Sequence, residues 1–316
     1  MRIVILDAQT LGADLSFDGL SALGELTVYE NTAKDEVVAH LADCEVAILN
    51  KVKLTADILA AAKHLKLICE MATGFDNVNL AAARAHGIAV CNVPGYSTPS
   101  VVQLTAAMVL SLATNLSDFS AHVSSGRYSA GKSANMLTPV FHELCGKTWG
   151  IVGYGSIGRG VAAVARALGC RLLVCRKSPD PSPECTDIDT LCQSADIISI
   201  HTPLNDTTRA LINKERIAMM KRDAILINVA RGAVTDEAAV ADAILEGRLG
   251  GFGCDVYSTE PFSGDHPFSA LLGHPRVCLT PHMAWGSYEA RVRCLETTVA
   301  NIRAFLAGEK QNRVDL

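Results

Sequence analysis

Near the middle of the chain, Gly153-Tyr154-Gly155-Ser156-Ile157-Gly158 separates a strand-like run from a helix-like one. Residues 144–152 lead into it and end Trp149-Gly150-Ile151-Val152; residues 161–169 lead out and are rich in Ala and Val. A phosphate-cradling turn needs that context. The first Gly makes the turn, and the second lets backbone N–H groups approach a pyrophosphate. The third lets the helix pack on the strand, with the helix N-terminus facing the anion. The same spacing occurs in ordinary tight βα turns, but the flanking strand and helix favour a dinucleotide, with Tyr154, Gly155, Ser156 and Ile157 as cofactor contacts. About 150 residues precede the motif, so something else occupies the first half.

A chain of 316 residues is long enough for about two domains. With 49% apolar, 19% charged and only 5% aromatic residues, the expected core is large and mostly aliphatic. A net charge of −5, without a polybasic cluster, argues against nucleic acid as the main partner. None of the eleven Cys forms a C-x-x-C pair, and no Cys/His spacing suits zinc, so no metal is expected. Cys69, Cys91, Cys254 and Cys278 lie in or beside apolar runs and read as reduced core thiols. The chain opens directly on Arg2-Ile3-Val4-Ile5-Leu6, with no leader pattern and no apolar run long enough for a membrane span. A cytoplasmic protein is expected.

Short apolar runs alternate with helical patterns. Strands are predicted at residues 3–6, 26–29, 46–49, 67–69 and 88–90, with helices at 34–41, 56–63 and 80–86 between them. Thr55 suits an N-cap and Gly87 a C-terminal stop. A long helix is predicted over 101–116. A second series of strands follows the glycine motif, at 151–152, 171–175, 197–200, 224–228, 251–254 and 277–279, before a final helix at 288–306 stopped by Gly308. Such alternation implies two open parallel sheets. The first series lacks cover for one sheet face, so the final helix is expected to return to it. The expected domains are residues 1–98 completed by 286–316, which would bind substrate, and 99–285, which would bind nucleotide. Ser178-Pro179-Asp180-Pro181-Ser182-Pro183 reads as an exposed loop.

Ligands of doubly wound sheets bind at the carboxyl ends of strands. Four polar clusters stand at those ends: His201-Thr202-Pro203-Leu204, Asn228-Val229-Ala230-Arg231-Gly232, the 255–261 stretch from Asp255 to Glu260-Pro261, and Thr280-Pro281-His282-Met283-Ala284-Trp285. With Ala72-Thr73-Gly74-Phe75-Asp76-Asn77-Val78 in the first half, they give the chain its resemblance to the D-isomer-specific 2-hydroxyacid dehydrogenases. The resemblance covers essentially the whole length. Within that family it is similar to glycerate dehydrogenases, also called hydroxypyruvate reductases, in its 281–285 ending and its Asn50-Lys51-Val52 loop.

The resemblance implies an α/β protein of two domains, a flavodoxin-like substrate domain and a Rossmann doubly wound nucleotide-binding domain. It implies reduction of a small 2-keto acid, with hydroxypyruvate ahead of glyoxylate. Arg231 would clamp the carboxylate bidentately and polarise the carbonyl. His282 would give the proton, and Glu260 would hold the imidazole and favour its charged form. The substrate carboxylate would also meet the backbone of Ala72, Thr73 and Gly74. Lys51 either approaches the substrate or is a solvated loop lysine. His201, Thr202, Pro203, Val229, Ala230, Arg231, Asp255 and His282 would line the cofactor, with His201 on the adenine side.

Two departures stand out. NAD sites usually carry an acid about 20 residues beyond the first Gly. Here that position is Cys175, followed by Arg176 and Lys177. These cations either bind a 2′-phosphate, which favours NADP(H), or are solvated or stacked on adenine, which leaves NAD(H) open. Gln103 stands where the family often has an acid, and has no assigned role. The resemblance further implies a homodimer formed through the nucleotide domains, a contact the apolar 101–116 helix suits. The competing reading, a dinucleotide-sensing corepressor-like interaction module, also resembles the family, but would favour long tails that are not seen here.

Overall fold

The computed structural model describes residues 1–178, 181–182 and 184–316. Pro179, Asp180 and Pro183, part of the expected exposed loop, lie outside the described residues. The chain divides into two compact units, Met1–Ser97 with Gly286–Leu316, and Thr98–Trp285.

The first unit holds β1 (Arg2–Ile5), β2 (Glu25–Val28), β3 (Val46–Leu49), β4 (Leu67–Glu70) and β5 (Ala89–Cys91) in one parallel sheet, ordered β2-β1-β3-β4-β5. This is the flavodoxin-like order, with its switch point between β1 and β3. Strands β3 and β4 are buried along their whole length, as strands covered on both faces must be. The edge strand β2 is mostly exposed. The helix Tyr288–Leu306 packs on β4, so the C-terminal segment covers this sheet. Ser287 caps its start by accepting from the Ala290 amide, and Gly308 ends it at φ 77°. The tail then returns along β5, where the Val90 amide donates to Asp315 Oδ1 at 2.8 Å. The helix expected at 34–41 is shorter, Val37–His40.

The second unit continues with β6 (Thr148–Val152), β7 (Arg171–Cys175), β8 (Ile197–Ile200), β9 (Ile225–Asn228), β10 (Gly251–Cys254) and β11 (Val277–Leu279). They form a parallel sheet ordered β11-β10-β9-β8-β6-β7. Beyond β7 a single parallel bridge, Val174 to Cys185, takes the place of a further strand. The sheet is therefore the doubly wound Rossmann arrangement, with one bridge among the described residues where its outer strand would stand. Its switch point lies between β6 and β8, and the glycine motif follows β6.

The long helix runs over Thr98–Thr114 and stops earlier than the sequence suggests. Asn115 is left-handed at φ 51°, and a second helix, Leu116–Ser124, starts on a new axis 68° away. Met108, Val109 and Leu112 are buried in the core of their own unit, while Leu110 on the same helix is exposed. Further along the chain Leu116, Val123, Leu137, Val140 and Phe141 are exposed, Leu137 by 80% and Val140 by 70%. Gln103 is on the exposed side of the helix. All eleven cysteines are free, and among the described residues no single helix is long and apolar enough to cross a membrane.

Candidate active site

The glycine turn follows β6 and leads into the helix Ser156–Ala167. Its three glycines meet different constraints. A Cβ on Gly153, at φ 94°, would lie 2.7 Å from the His201–Thr202 backbone. One on Gly158 would lie 2.1 Å from the Gly153 carbonyl oxygen. These two glycines permit close packing within the protein. A Cβ on Gly155 would meet nothing within 4 Å. The open space is therefore at the second glycine, where a pyrophosphate must come close to the backbone. Gly155 and Ser156 are exposed, while Tyr154 and Ile157 are half-buried. The turn fits a dinucleotide.

His201, at the end of β8, borders this turn. Trp149 Nε1–H, which can only donate, gives its hydrogen to Ser199 Oγ at 2.9 Å. Ser199 Oγ in turn lies 2.9 Å from His201 Nε2. Burial pushes the imidazole down to about 3, so it is neutral at working pH and unsuited to give a proton as imidazolium. Its Nδ1 is buried without a hydrogen-bond partner among the described residues. Thr202 is half-buried and Pro203 exposed on the same loop. At the tip of β7, Cys175 and Arg176 are half-buried and Lys177 is exposed.

Arg231 follows β9 on a turn shaped by Asn228. The Asn228 side chain accepts from the Ala230 amide at 3.0 Å and donates to the Arg231 carbonyl at 2.9 Å. It holds Val229 and Ala230, both half-buried, in a fixed path. Gly232 then lies flush against the next strand's loop: a Cβ there would sit 2.1 Å from the Tyr257 carbonyl carbon. The Arg231 turn and the loop carrying Glu260 are thus pressed together by backbone contact. The Arg231 guanidinium donates to the Ala230 carbonyl at 2.8 Å.

Glu260 and His282 come from loops after β10 and β11. Glu260 Oε2 lies 2.6 Å from His282 Nδ1, and Glu260 Oε1 accepts from the Tyr257 amide at 2.9 Å. With Nδ1 on the carboxylate, Nε2 is the nitrogen left for chemistry. His282 adopts a left-handed backbone at φ 52°, a costly conformation for a residue with a side chain. Asp255 holds it there. Its carboxylate, fully buried, accepts from Thr280 Oγ1 at 2.5 Å, the Met283 amide at 2.9 Å and the Ala284 amide at 2.8 Å. Burial raises the Asp255 carboxyl above its usual range, against the pull of these three bonds. Asp255 therefore grips the loop on both sides of His282.

The Glu260 loop has a similar anchor. Glu237, at the start of the helix Glu237–Leu245, accepts from the Ser258 amide at 2.8 Å and from the Ser258 hydroxyl. His266 Nε2 meets the same carboxylate at 3.0 Å, while His266 Nδ1 accepts from the Phe268 amide. Because Nδ1 accepts, Nε2 carries the hydrogen that it gives to Glu237. Sequence reasoning missed Asn228, Glu237 and His266 as site supports. The only local signal was Asn at a strand end, a residue prone to bond its own backbone.

In the first unit, Lys51 lies after β3 and Ala72, Thr73 and Gly74 after β4. Lys51 is exposed, but its backbone is fixed: Asp7 accepts from the amides of Asn50, Lys51 and Val52 at 2.6–3.1 Å. The 72–74 loop is tied to the segment after β5. Thr73 Oγ1 donates to the Val93 carbonyl at 3.0 Å, and Asn92 Nδ2 donates to the Thr73 carbonyl at 2.8 Å. Asn301, buried in the C-terminal helix, donates to the Asn92 carbonyl at 2.9 Å.

An imidazole held by a carboxylate, in a doubly wound domain with an open dinucleotide turn, fits a nicotinamide-dependent oxidoreductase. The model of the D-isomer specific 2-hydroxyacid dehydrogenase NAD binding domain matches residues 106–284. A hydroxypyruvate reductase of Blautia hydrogenotrophica is 34% identical, with 100% of both chains covered. A glycerate dehydrogenase of Methylorubrum extorquens is 35% identical, with 99% of both chains covered. Among solved structures, a D-lactate dehydrogenase of Aquifex aeolicus complexed with NAD and lactic acid is 29% identical, with a TM-score of 0.85 over 100% of this chain and 99% of that one. The chain belongs to the D-isomer specific 2-hydroxyacid dehydrogenase family and is a nicotinamide-dependent 2-hydroxyacid oxidoreductase.

Proposed function

We propose that the protein reduces hydroxypyruvate to D-glycerate, with glyoxylate as a second substrate. The observation that carries the reading is the 2.6 Å contact between Glu260 and His282, on loops anchored by Glu237 and Asp255. The bound cofactor supplies the hydride for the substrate's C2. Arg231 binds the carboxylate through its planar fork and polarises the keto oxygen. His282 gives its Nε2 proton to that oxygen as it becomes an alkoxide, and hydride plus proton complete the alcohol. Glu260 fixes the ring and stabilises the imidazolium. Ala72, Thr73 and Gly74 bind the substrate carboxylate through their backbone, and Lys51 adds positive charge. The relatives named above support hydroxypyruvate as the first substrate to assay, and none supports the interaction-module alternative.

For the cofactor we propose NADP(H). Cys175 leaves no carboxylate to repel a 2′-phosphate, and Arg176 and Lys177 follow it directly. The protein acts in a reducing, cytoplasmic compartment, consistent with its free thiols. It forms a homodimer through the exposed apolar residues of the 116–141 segment. The test is a panel of keto acids with NADPH and NADH, read by loss of nicotinamide absorbance. Hydroxypyruvate should give the highest kcat/KM, and Cys175→Asp should shift the cofactor ratio toward NADH. A wild-type preference for NADH that survives removal of Arg176 and Lys177 would contradict the phosphate site.

A further inference from the structure

Beneath the two loops proposed to hold substrate in the first unit lies a buried polar group that the catalytic scheme does not use. Glu70 ends β4 with no exposed surface. Its Oε2 accepts from Asn77 Nδ2 at 3.0 Å. The same Asn77 amide reaches the carbonyls of Val52 at 3.0 Å and Asn50 at 3.4 Å. One side chain thus ties the 50–52 loop to the 72–77 loop, and Glu70 supports it from below. The loops are laced again one step further out. The Leu54 amide donates to the Asn77 carbonyl at 2.9 Å, and the Asn79 amide to the Leu54 carbonyl at 3.0 Å.

Two polar atoms in this cluster, Glu70 Oε1 and Asn50 Nδ2, are buried without a hydrogen-bond partner among the described residues. Such orphans are rare and costly. An apolar residue at position 70 would remove one of them, yet would leave Asn77 unsupported. The fold keeps a costly acid where it sets the path of both loops.

We propose that Glu70 is a positioning residue for substrate binding: through Asn77 it fixes the 50–52 loop against the 72–77 loop without touching the substrate. This rests on the proposed reading that those loops bind substrate. Burial pushes Glu70 up to about 9, so it is a neutral acid at working pH. The charged groups facing it are Asp7 from the end of β1, Asp76 from its own loop and Lys51, with the Cys294 thiol on the C-terminal helix. Asp7 and Asp76 oppose its ionisation and Lys51 favours it. Above pH 9 a second anion would form beside Asp7, the residue that holds the 50–52 amides.

The experiment is steady-state kinetics of the full chain with hydroxypyruvate, using Glu70→Leu, Glu70→Gln, Lys51→Ala and Thr73→Val. Glu70→Leu should raise the keto-acid KM about tenfold, the scale of one lost buried hydrogen bond. Its kcat and its KM for the reduced cofactor should stay within about twofold. Glu70→Gln keeps the shape and the acceptor for Asn77, so it should restore the KM at pH 7. Wild-type KM should rise above pH 9 as Glu70 ionises, and Glu70→Gln should abolish that rise, a readout available even if the Leu variant fails to fold. A folded Glu70→Leu with wild-type KM, or a Gln variant that keeps the alkaline rise, overturns the proposal. If Lys51→Ala and Thr73→Val both leave KM unchanged, the loop reading itself fails and the proposal falls with it.

Discussion

The two units solve the same problem, placing polar side chains at the ends of parallel strands, in opposite ways. In the second unit the chemical groups are half-exposed and their supports are buried carboxyl groups with a hydrogen bond on each oxygen. Asp255 accepts three hydrogen bonds, and Glu237 accepts from Ser258 and His266. In the first unit Asp7 is bonded in the same way, but the support beneath both loops is incompletely bonded, with Glu70 Oε1 and Asn50 Nδ2 unpartnered among the described residues. A site that must stabilise charge in the transition state gains from neighbours fixed by hydrogen bonds on every side. A site that only binds through backbone groups needs loops in the right place, and a neutral acid suffices to hold them.

If that contrast is right, damage in the second unit should fall on chemistry. Arg231→Ala should lower kcat/KM roughly 10²- to 10³-fold, the scale for losing one group that stabilises developing charge. Lys should rescue it poorly, because a point charge does not reproduce the bidentate fork. Turnover near wild type in Arg231→Ala would break the comparison at its strongest point.

The glycine turn allows binding and folding to be separated within one motif. A side chain at Gly155 meets open space, so Gly155→Val should melt within a few degrees of wild type yet lose at least tenfold in cofactor affinity. Gly153→Ala puts its Cβ 2.7 Å from the His201–Thr202 backbone at a positive φ, so it should destabilise the fold itself. Thermal unfolding with and without cofactor distinguishes them. Equal destabilisation by both would remove the distinction.

The smallest effect concerns stability and pH in the first unit. Glu70 rises from 4.5 to about 9 on burial, so the unfolded chain releases this proton first. Stability from this group is full below pH 4.5 and is lost as pH rises toward 9, by up to about 1.4 kcal/mol per pH unit. Glutamine does not titrate. Glu70→Gln should therefore gain on wild type steadily as pH rises from 5 to 8, read as a Tm difference that widens with pH. A Tm difference that does not grow with pH would show that Glu70 is already ionised in the fold.

The same contrast explains what the sequence made legible. The strands of both sheets announce themselves as short aliphatic runs, and the structure places them within a residue or two of expectation in most cases. The long helix was overextended because Asn115 breaks it by a left-handed backbone that apolar periodicity does not register. The motifs at 153–158, 228–232 and 280–285 are contiguous, so their chemistry can be read locally. The supports cannot. Asp7 meets the amide of Asn50, 43 residues away, and Glu237 meets Ser258 and His266 across 21 and 29 residues. Glu70 reads only as the end of an apolar strand, and nothing beside it in the sequence says that Asn77 will close over it.

The most direct test of the proton-donor assignment is His282→Gln, assayed for hydroxypyruvate reduction alongside cofactor affinity by fluorescence titration. Reduction should slow roughly 10²-fold or more, the scale of general acid catalysis, with cofactor affinity unchanged. A variant that reduces hydroxypyruvate at the wild-type rate but binds cofactor poorly would make His282 a structural residue and contradict the account.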